Sequence, residues 1–352
     1  MTEERQPGTV DEPGMGVLHA RLVHAPAAKM KIAGIDSAAA EAVGAVVLTG
    51  QQTLDLHPYH GPVVDDRPLL AIDRVRYLGE PVAAVAADTS ELAEAAARSI
   101  EITLVPLTSA VTGVRPGEEL LVHLTDLLPI GPYGEGISLS THAGNRLAIA
   151  TRQWGEPSPA ADEDVRTIFI DTPLSGELEP LQAIAEWQGK QLIVWSSSDD
   201  PDALRIELAG IFGLTGDQID IQPLASGRIP VVPGSIGIEG VAAALARRAR
   251  RPVHLVAGYD ELGWTGPSGM LEISGNEAGG RNILLRVDAG AFAGNLPRMI
   301  GPIAESIAEQ MNIVSGKVTV EIVYSFAPPV AASLDQWRDA IRRALARVGI
   351  AP

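Results

Sequence analysis

The sequence predicts an α/β (α+β) chain in two parts, and three observations predict it. Pro81–Ala87 (PVAAVAA) is continuously apolar, as a strand covered on both faces is. An Ala-rich amphipathic run and then an alternating run follow it directly, which makes a β-α-β unit. A second series of strand and helix patterns starts near Asn145, beyond a stretch crowded with glycine and proline. The length of 352 residues fits two domains at roughly 100–200 residues each.

Residues 1–15 are polar, carry no periodicity and read as a disordered tail. The first domain is assigned to residues 16–110. Val17–His24 and Ala45–Leu48 are strand candidates there. Asp88, Thr89 and Ser90 supply helix-capping groups, with Glu91 in the first turn. The helix presents Leu92, Ala95, Ala96 and Ile100 on one stripe. Ile100, Ile102 and Leu104 then alternate up to Pro106.

Residues 111–146, and the stretch from 107 more broadly, hold the breaker clusters at 113–117 and 129–134. They read as a connector that links domains or wraps across one. The second domain is assigned to residues 147–352. Ala183–Trp187 and Gln191–Ser196 form a hairpin around Gln188–Gly189–Lys190. Asp200–Phe212 is a helix with Pro201 in its first turn and Gly213 at its C-terminal cap. Ile236–Arg251 is a second helix, whose terminal arginines complement the helix dipole. Pro252–Val256, Asn282–Val287 and Val318–Tyr324 are strands, and Leu334–Val348 is a closing amphipathic helix.

Composition narrows the function. Lys and Arg number 27 against 44 Asp and Glu, a formal charge of −17. An acidic surface repels phosphate, which argues against nucleic acid and against an anionic membrane face. With no cysteine, disulfides, cysteine–zinc sites, iron–sulfur ligation and thiol nucleophiles are excluded in this sequence, and a cytoplasmic location is expected. The N-terminal residues lack the apolar run of a secretory signal, and no long apolar stretch suggests a membrane span.

Generic chemical motifs fail one by one. Gly134–Glu135–Gly136 lacks the third glycine and the preceding strand of a dinucleotide fingerprint. Gly189–Lys190 runs into Gln191, so it is no P-loop. Ser235 has Pro233 where a nucleophile elbow needs glycine. His57 and His60, with Asp65 and Asp66 nearby, offer the donor types of a transition-metal site. Pro58 prevents a helical arrangement of the two imidazoles, so an ordinary polar loop is the favoured reading and no metal ligand is assigned.

Longer stretches resemble the molybdopterin-binding large subunits of the xanthine dehydrogenase/aldehyde oxidase family. Residues 18–50, LHARLVHAPAAKMKIAGIDSAAAEAVGAVVLTG, are similar to the family's opening segment. Residues 69–102 contain Asp73, Val75, Arg76, Tyr77, Gly79, Glu80 and Pro81, which reproduce the D-x-V-R-Y-x-G-E-P signature of the a/b hammerhead domain. Residues 178–198, the segments RIELAGIFGLTGDQIDI, LRVDAGAFAGNLPRMIG and VEIVYSFAPPVAA, and the closing helix follow in the family's order. The resemblance implies a hammerhead domain followed by a mixed α/β molybdopterin-binding-like domain.

Departures from the family pattern bear on the cofactor. The family holds its anionic pterin in a loop resembling D-V-G-G-G-F-G-G-K, where glycines let backbone N–H groups approach the ligand. Here Leu224–Pro233 reads LASGRIPVVP. Ser226, Gly227, Arg228 and Gly234 are the remnant cofactor-binding candidates. Pro230 and Pro233 remove N–H donors, and Val231 and Val232 disfavour positive φ. A second glycine-rich loop, expected after Ala331–Ala332, is absent, because Ser333 leads straight into Leu334. Asp199 stands near the position of a family glutamine and puts a negative charge beside the cofactor's expected place. Glu179 matches an L-E-P motif and reads as structural. The family's catalytic glutamate belongs to a further molybdopterin-binding domain that these residues do not include.

The leading reading is a truncated, degenerate relative of a molybdenum-hydroxylase large subunit, a pseudoenzyme with no catalytic residue of its own. It would hold no cofactor alone and act as a structural or assembly partner. The alternative is one half of a split oxidoreductase subunit that hydroxylates an aldehyde or N-heterocycle. Molybdopterin would then be shared with a second molybdopterin-domain chain, and iron–sulfur and flavin subunits would carry the electrons. A homo-oligomer is also allowed. An unrelated binding module using the acidic surface is the third reading, supported by charge alone.

Overall fold

A computed structural model describes residues 16–108, 120–124, 127, 129–131, 133, 136–140, 144–155, 165–174, 179–224, 237–276 and 280–350. The predicted tail and the remnant loop candidates Ser226, Gly227, Arg228 and Gly234 lie outside these residues.

The strands are β1 (Leu18–His24), β2 (Met30–Asp36), β3 (Val46–Thr49), β4 (Tyr59–His60), β5 (Arg67–Pro68), β6 (Arg74–Val75), β7 (Pro81–Ala87), β8 (Glu101–Pro106) and β9 (Ile137–Leu139). They continue as β10 (Arg146–Trp154), β11 (Arg166–Asp171), β12 (Leu181–Gln188), β13 (Gln191–Ser196), β14 (Ile219–Pro223), β15 (Val253–Ala257), β16 (Ser268–Asn276), β17 (Gly280–Asp288) and β18 (Gly316–Val323). The helices are α1 (Ala38–Ala42), α2 (Ser90–Arg98), α3 (Pro201–Phe212), α4 (Glu239–Ala249), α5 (Tyr259–Leu262), α6 (Leu296–Gln310) and α7 (Leu334–Arg347). None of the described helices is long and apolar enough to cross a membrane.

Two large sheets dominate. One has the order β14-β13-β12-β15-β1-β7-β3, and the other β11-β16-β17-β18-β10-β9. A small sheet, β6-β2-β8, lies beside them. The first sheet joins both predicted parts of the chain: β1 pairs in parallel with β15, Leu18 opposite Val253. Its α3 and α4 side forms one core, and α6 and α7 cover the second sheet in another. A third core lies between β7, α2 and the small sheet. Strand β7 explains its own apolar sequence. Ala84 and Ala86 face one core while Val82, Ala83, Val85 and Ala87 enter the other, so neither face of the strand reaches water.

The local signals act as the sequence predicts. Thr89 caps α2 by accepting from the Leu92 N–H. Asp200 caps α3 by accepting from the Ala203 N–H, and Gly213 ends it at φ 63°. Strands β12 and β13 form the hairpin, Gln188 opposite Gln191. The second predicted helix starts at Glu239 rather than Ile236. Helix α6 is not predicted by the sequence, and Pro302 lies in its interior, whereas Pro297 falls in its first turn. A proline in a helix interior costs about 3 kcal/mol. Full burial of Ile300, Ile303, Ala304 and Ile307 offsets that. Within the stretch read as a connector, Val122 is buried and its N–H donates to Asn145 Oδ1 at 3.0 Å, and the Ile130 N–H donates to the Val63 carbonyl at 2.8 Å.

The R-Y-x-G-E-P stretch forms a buried turn. Arg76 and Glu80 side chains are 5% and 3% exposed and pair at 3.0 Å. The Arg76 backbone N–H also donates to Glu80 Oε2. Gly79, at φ 89°, sits where an L side chain is strained. The Ala25 N–H donates to the Glu80 carbonyl at 3.0 Å, which ties the turn to the end of β1. Beyond it, the Arg76 guanidinium lies 5.4 Å from the Phe292 ring, and Tyr77 meets the same ring edge-on at 6.1 Å. Burial pushes the Glu80 carboxyl above the usual range, and Arg76 pulls it back.

Removing one partner from such a pair strands a buried charge. Glu80→Gln is expected to cost about 3–5 kcal/mol in urea unfolding. Adding Arg76→Met should recover part of that loss. A double-mutant cycle with no coupling would contradict this account of the turn.

Candidate functional site

The sequence candidates lie between Leu224 and Gly237, outside the described residues, and described residues flank that stretch at both ends. Both ends are tied to Ser196, the last residue of β13. On one side the Leu224 N–H donates to the Ser196 carbonyl at 2.9 Å. On the other, Ser196 Oγ donates to Glu239 Oε1 at 2.7 Å. Glu239 opens α4, and its second oxygen accepts from the Gly237 and Ile238 N–H groups at 2.8 and 2.9 Å. Ile238 is the N-cap of α4, and its N–H is one of the donors a helix start leaves free; the Glu239 carboxylate occupies that one and the neighbouring Gly237 N–H. Arg67 reaches the same corner, donating to the Gly237 carbonyl at 3.3 Å and stacking 5.4 Å from Trp264.

Two other residues read from the sequence are exposed. Asp199 follows β13. Glu179 is exposed before β12. After Ala332 the chain enters α7 through a capping box: Ser333 Oγ accepts from the Gln336 N–H and Gln336 Oε1 accepts from the Ser333 N–H. Those amides too are closed. The Gly237, Ile238, Ser333 and Gln336 amides are thus bonded within the protein.

The His57–Asp66 stretch is not an ordinary polar loop, because the tertiary fold buries part of it. His60 is 5% and Asp66 1% exposed. The two diverge. His60 Nδ1 meets Glu207 Oε2 on α3 at 3.2 Å. Asp66 Oδ2 accepts from the Ala293 N–H at 2.6 Å and the Tyr324 hydroxyl at 2.9 Å. Among the described residues no three His, Cys, Asp or Glu side chains are grouped to hold a metal. His123 joins this inner network unforeseen by sequence. Its Nε2 lies 2.9 Å from the Ala291 carbonyl and its ring stands edge-on to Tyr324, centroids 4.5 Å apart. Burial drives the His123 pKa down to about 3, so the ring is neutral and donates from Nε2. These bonds fix the D-A-G-A-F-A segment after β17. Gly290 there has φ 66°, and a Cβ would meet the Pro328 carbonyl oxygen at 2.1 Å. No local pattern announces Glu239, Glu207 or His123, since each partner is far away in sequence.

Residues 9–108 match the family model of the aldehyde oxidase and xanthine dehydrogenase a/b hammerhead domain. The chain is 28% identical over 249 residues to the 6-hydroxypseudooxynicotine dehydrogenase complex subunit gamma of Paenarthrobacter nicotinovorans, covering 66% of this chain and 30% of that protein. It is 25% identical over 245 residues to a probable xanthine dehydrogenase subunit of Bacillus subtilis (strain 168), covering 68% and 31%. The matches thus span less than a third of either relative. In fold it is similar to quinoline 2-oxidoreductase from Pseudomonas putida 86, with a TM-score of 0.69, 20% identity and coverage of 97% of this chain and 46% of that one. It is likewise similar to CO dehydrogenase from Oligotropha carboxidovorans, with a TM-score of 0.73, 19% identity and coverage of 96% and 45%.

Asp66 makes the inner network measurable. Burial raises its pKa to about 7, against the bonds from Ala293 and Tyr324, which lower it. An unfolded aspartate titrates near 3.9. The protonated acid is thus favoured in the folded state. Its contribution is complete below about pH 4 and is lost as pH rises through about 7, an effect of up to about 4 kcal/mol. Asp66→Asn keeps an acceptor for both donors and removes the titration. Urea midpoints at pH 4.5 and pH 8 should separate less in the variant than in the parent protein; equal separation would refute the assignment.

Proposed function

We propose, for a chain that is related to the xanthine dehydrogenase/aldehyde oxidase family and carries its hammerhead domain, a non-catalytic role. The chain acts as a structural or assembly partner and holds no molybdopterin by itself. One observation carries this reading: at the described edge of residues 225–236 the Glu239 carboxylate takes the Gly237 and Ile238 amides and puts the protein's own negative charge where an anion would approach. Pro230 and Pro233 in the adjoining sequence, each without an N–H, support it. A fold can be kept while its site is lost, so family likeness alone assigns no activity.

One relative is by name a subunit of a dehydrogenase complex, which supports a partner chain for this one. The partner would carry a second molybdopterin domain, with iron–sulfur and flavin subunits beyond it. A cytoplasmic setting is part of the same proposal and rests on the absence of cysteine in this sequence.

The decisive measurement is molybdenum and pterin content of the full chain purified from a host that makes molybdopterin. Both are expected far below one per chain. One molybdenum and one pterin per chain overturn the reading. Co-expression with a candidate partner chain separates the alternative, a split hydroxylase of aldehydes or N-heterocycles. Molybdenum held by the joint complex and by neither chain alone would favour that alternative.

A further inference from the structure

A hollow lies along α3. Its volume is about 560 Å³, and it is bounded by α3, the 57–62 segment, Ile130 and Arg298. Ala203, Ile206, Glu207, Gly210 and Ile211 contribute from α3. Their spacing puts them on one helical face. That face is apolar apart from one carboxylate. Ile206, Tyr59 and Ile130 stand at the hollow exposed to 72%, 39% and 54%, which is costly for large apolar groups left in water.

Glu207 is the unusual element. Its side chain is 6% exposed. Oε2 is held by His60, but Oε1 is buried and has no hydrogen-bond partner among the described residues. A buried carboxylate oxygen without a donor is costly and invites one. Burial lowers the pKa of His60, so this ring is neutral at pH 7 and does not offset the Glu207 charge. The other charged residues at the hollow are Asp65 and Arg298. Arg298 donates to the Pro62 carbonyl at 2.7 Å. With Glu207 and Asp65 against Arg298, the lining carries an excess negative charge.

We propose that this hollow is a binding site for a small primary ammonium ligand with an apolar body. The ammonium pairs with the Glu207 carboxylate, and the apolar part lies against Ile206, Ile211, Tyr59 and Ile130. The site uses none of the residues around the 225–236 stretch and does not depend on the cofactor reading.

Calorimetric titration of the full chain with benzylammonium chloride tests this, with benzyl alcohol as the uncharged match. Saturable one-to-one binding of benzylammonium is expected, at least about tenfold tighter than the alcohol, as one charge-assisted hydrogen bond provides. Glu207→Gln retains an acceptor for His60 and should weaken benzylammonium binding by a similar factor. Gly210→Leu fills the hollow from a position where a Cβ meets nothing within 4 Å, and leucine suits a helix better than glycine. It should abolish binding while leaving Glu207 and the fold intact. No saturable binding, equal affinity for the alcohol, or undiminished binding to folded Gly210→Leu protein would each overturn the proposal.

Discussion

The buried Arg76–Glu80 pair is the constraint on which much of the architecture depends. A guanidinium and a carboxylate removed from water are tolerable only when each is bonded, and here the turn supplies the bonds itself. The residues around it belong to different cores: Val75 to the small hammerhead core, Tyr77 and Phe292 to the core of the six-stranded sheet. The turn therefore fixes how the first part of the chain meets the second. This gives a physical reason for the R-Y-x-G-E-P sequence that involves no ligand. Arginine supplies the charge and a face for Phe292, glycine supplies the positive φ, and glutamate closes the turn.

The corner at Ser196 follows a similar rule with a different consequence. A stretch that leaves at Leu224 and returns at Gly237 needs its ends held, and one residue holds both. The means is a carboxylate at the start of α4. Such a helix start either receives an external anion or satisfies its donors internally. Glu239 makes the second choice. In a fold similar to that of the solved oxidoreductases, the protein's own carboxylate thus stands at this corner.

The two inner polar networks differ in what they leave open. Around Asp66, Tyr324 and His123 the named donors and acceptors are bonded to one another or to backbone, and the result is a rigid support for the segment after β17. At Glu207 one oxygen is left over beside a hollow with apolar walls. A completed network stiffens a fold, whereas an incomplete one next to open volume can take a ligand.

Local sequence determined the elements whose causes are local. PVAAVAA had to be a strand hidden on both sides, Thr89 and Asp200 had to start helices, and Gly213 had to end one. The family likeness of residues 69–102 was legible for the same reason, as a contiguous pattern. The prolines and valines after Leu224 tell against a pterin cradle by residue type alone. Tertiary structure decided the rest. It made a helix of residues 296–310 in spite of Pro302 in its interior, because the isoleucines on either side of it reach a core. It buried Asp66 within a stretch that reads as polar, and it paired His60 with Glu207 and Ser196 with Glu239. Those partners are separated by long reaches of chain, and no periodicity encodes them. Whether a carboxylate meets solvent, a cofactor or a serine depends on which elements pack together, and packing is set by the sum of buried surfaces rather than by any one segment.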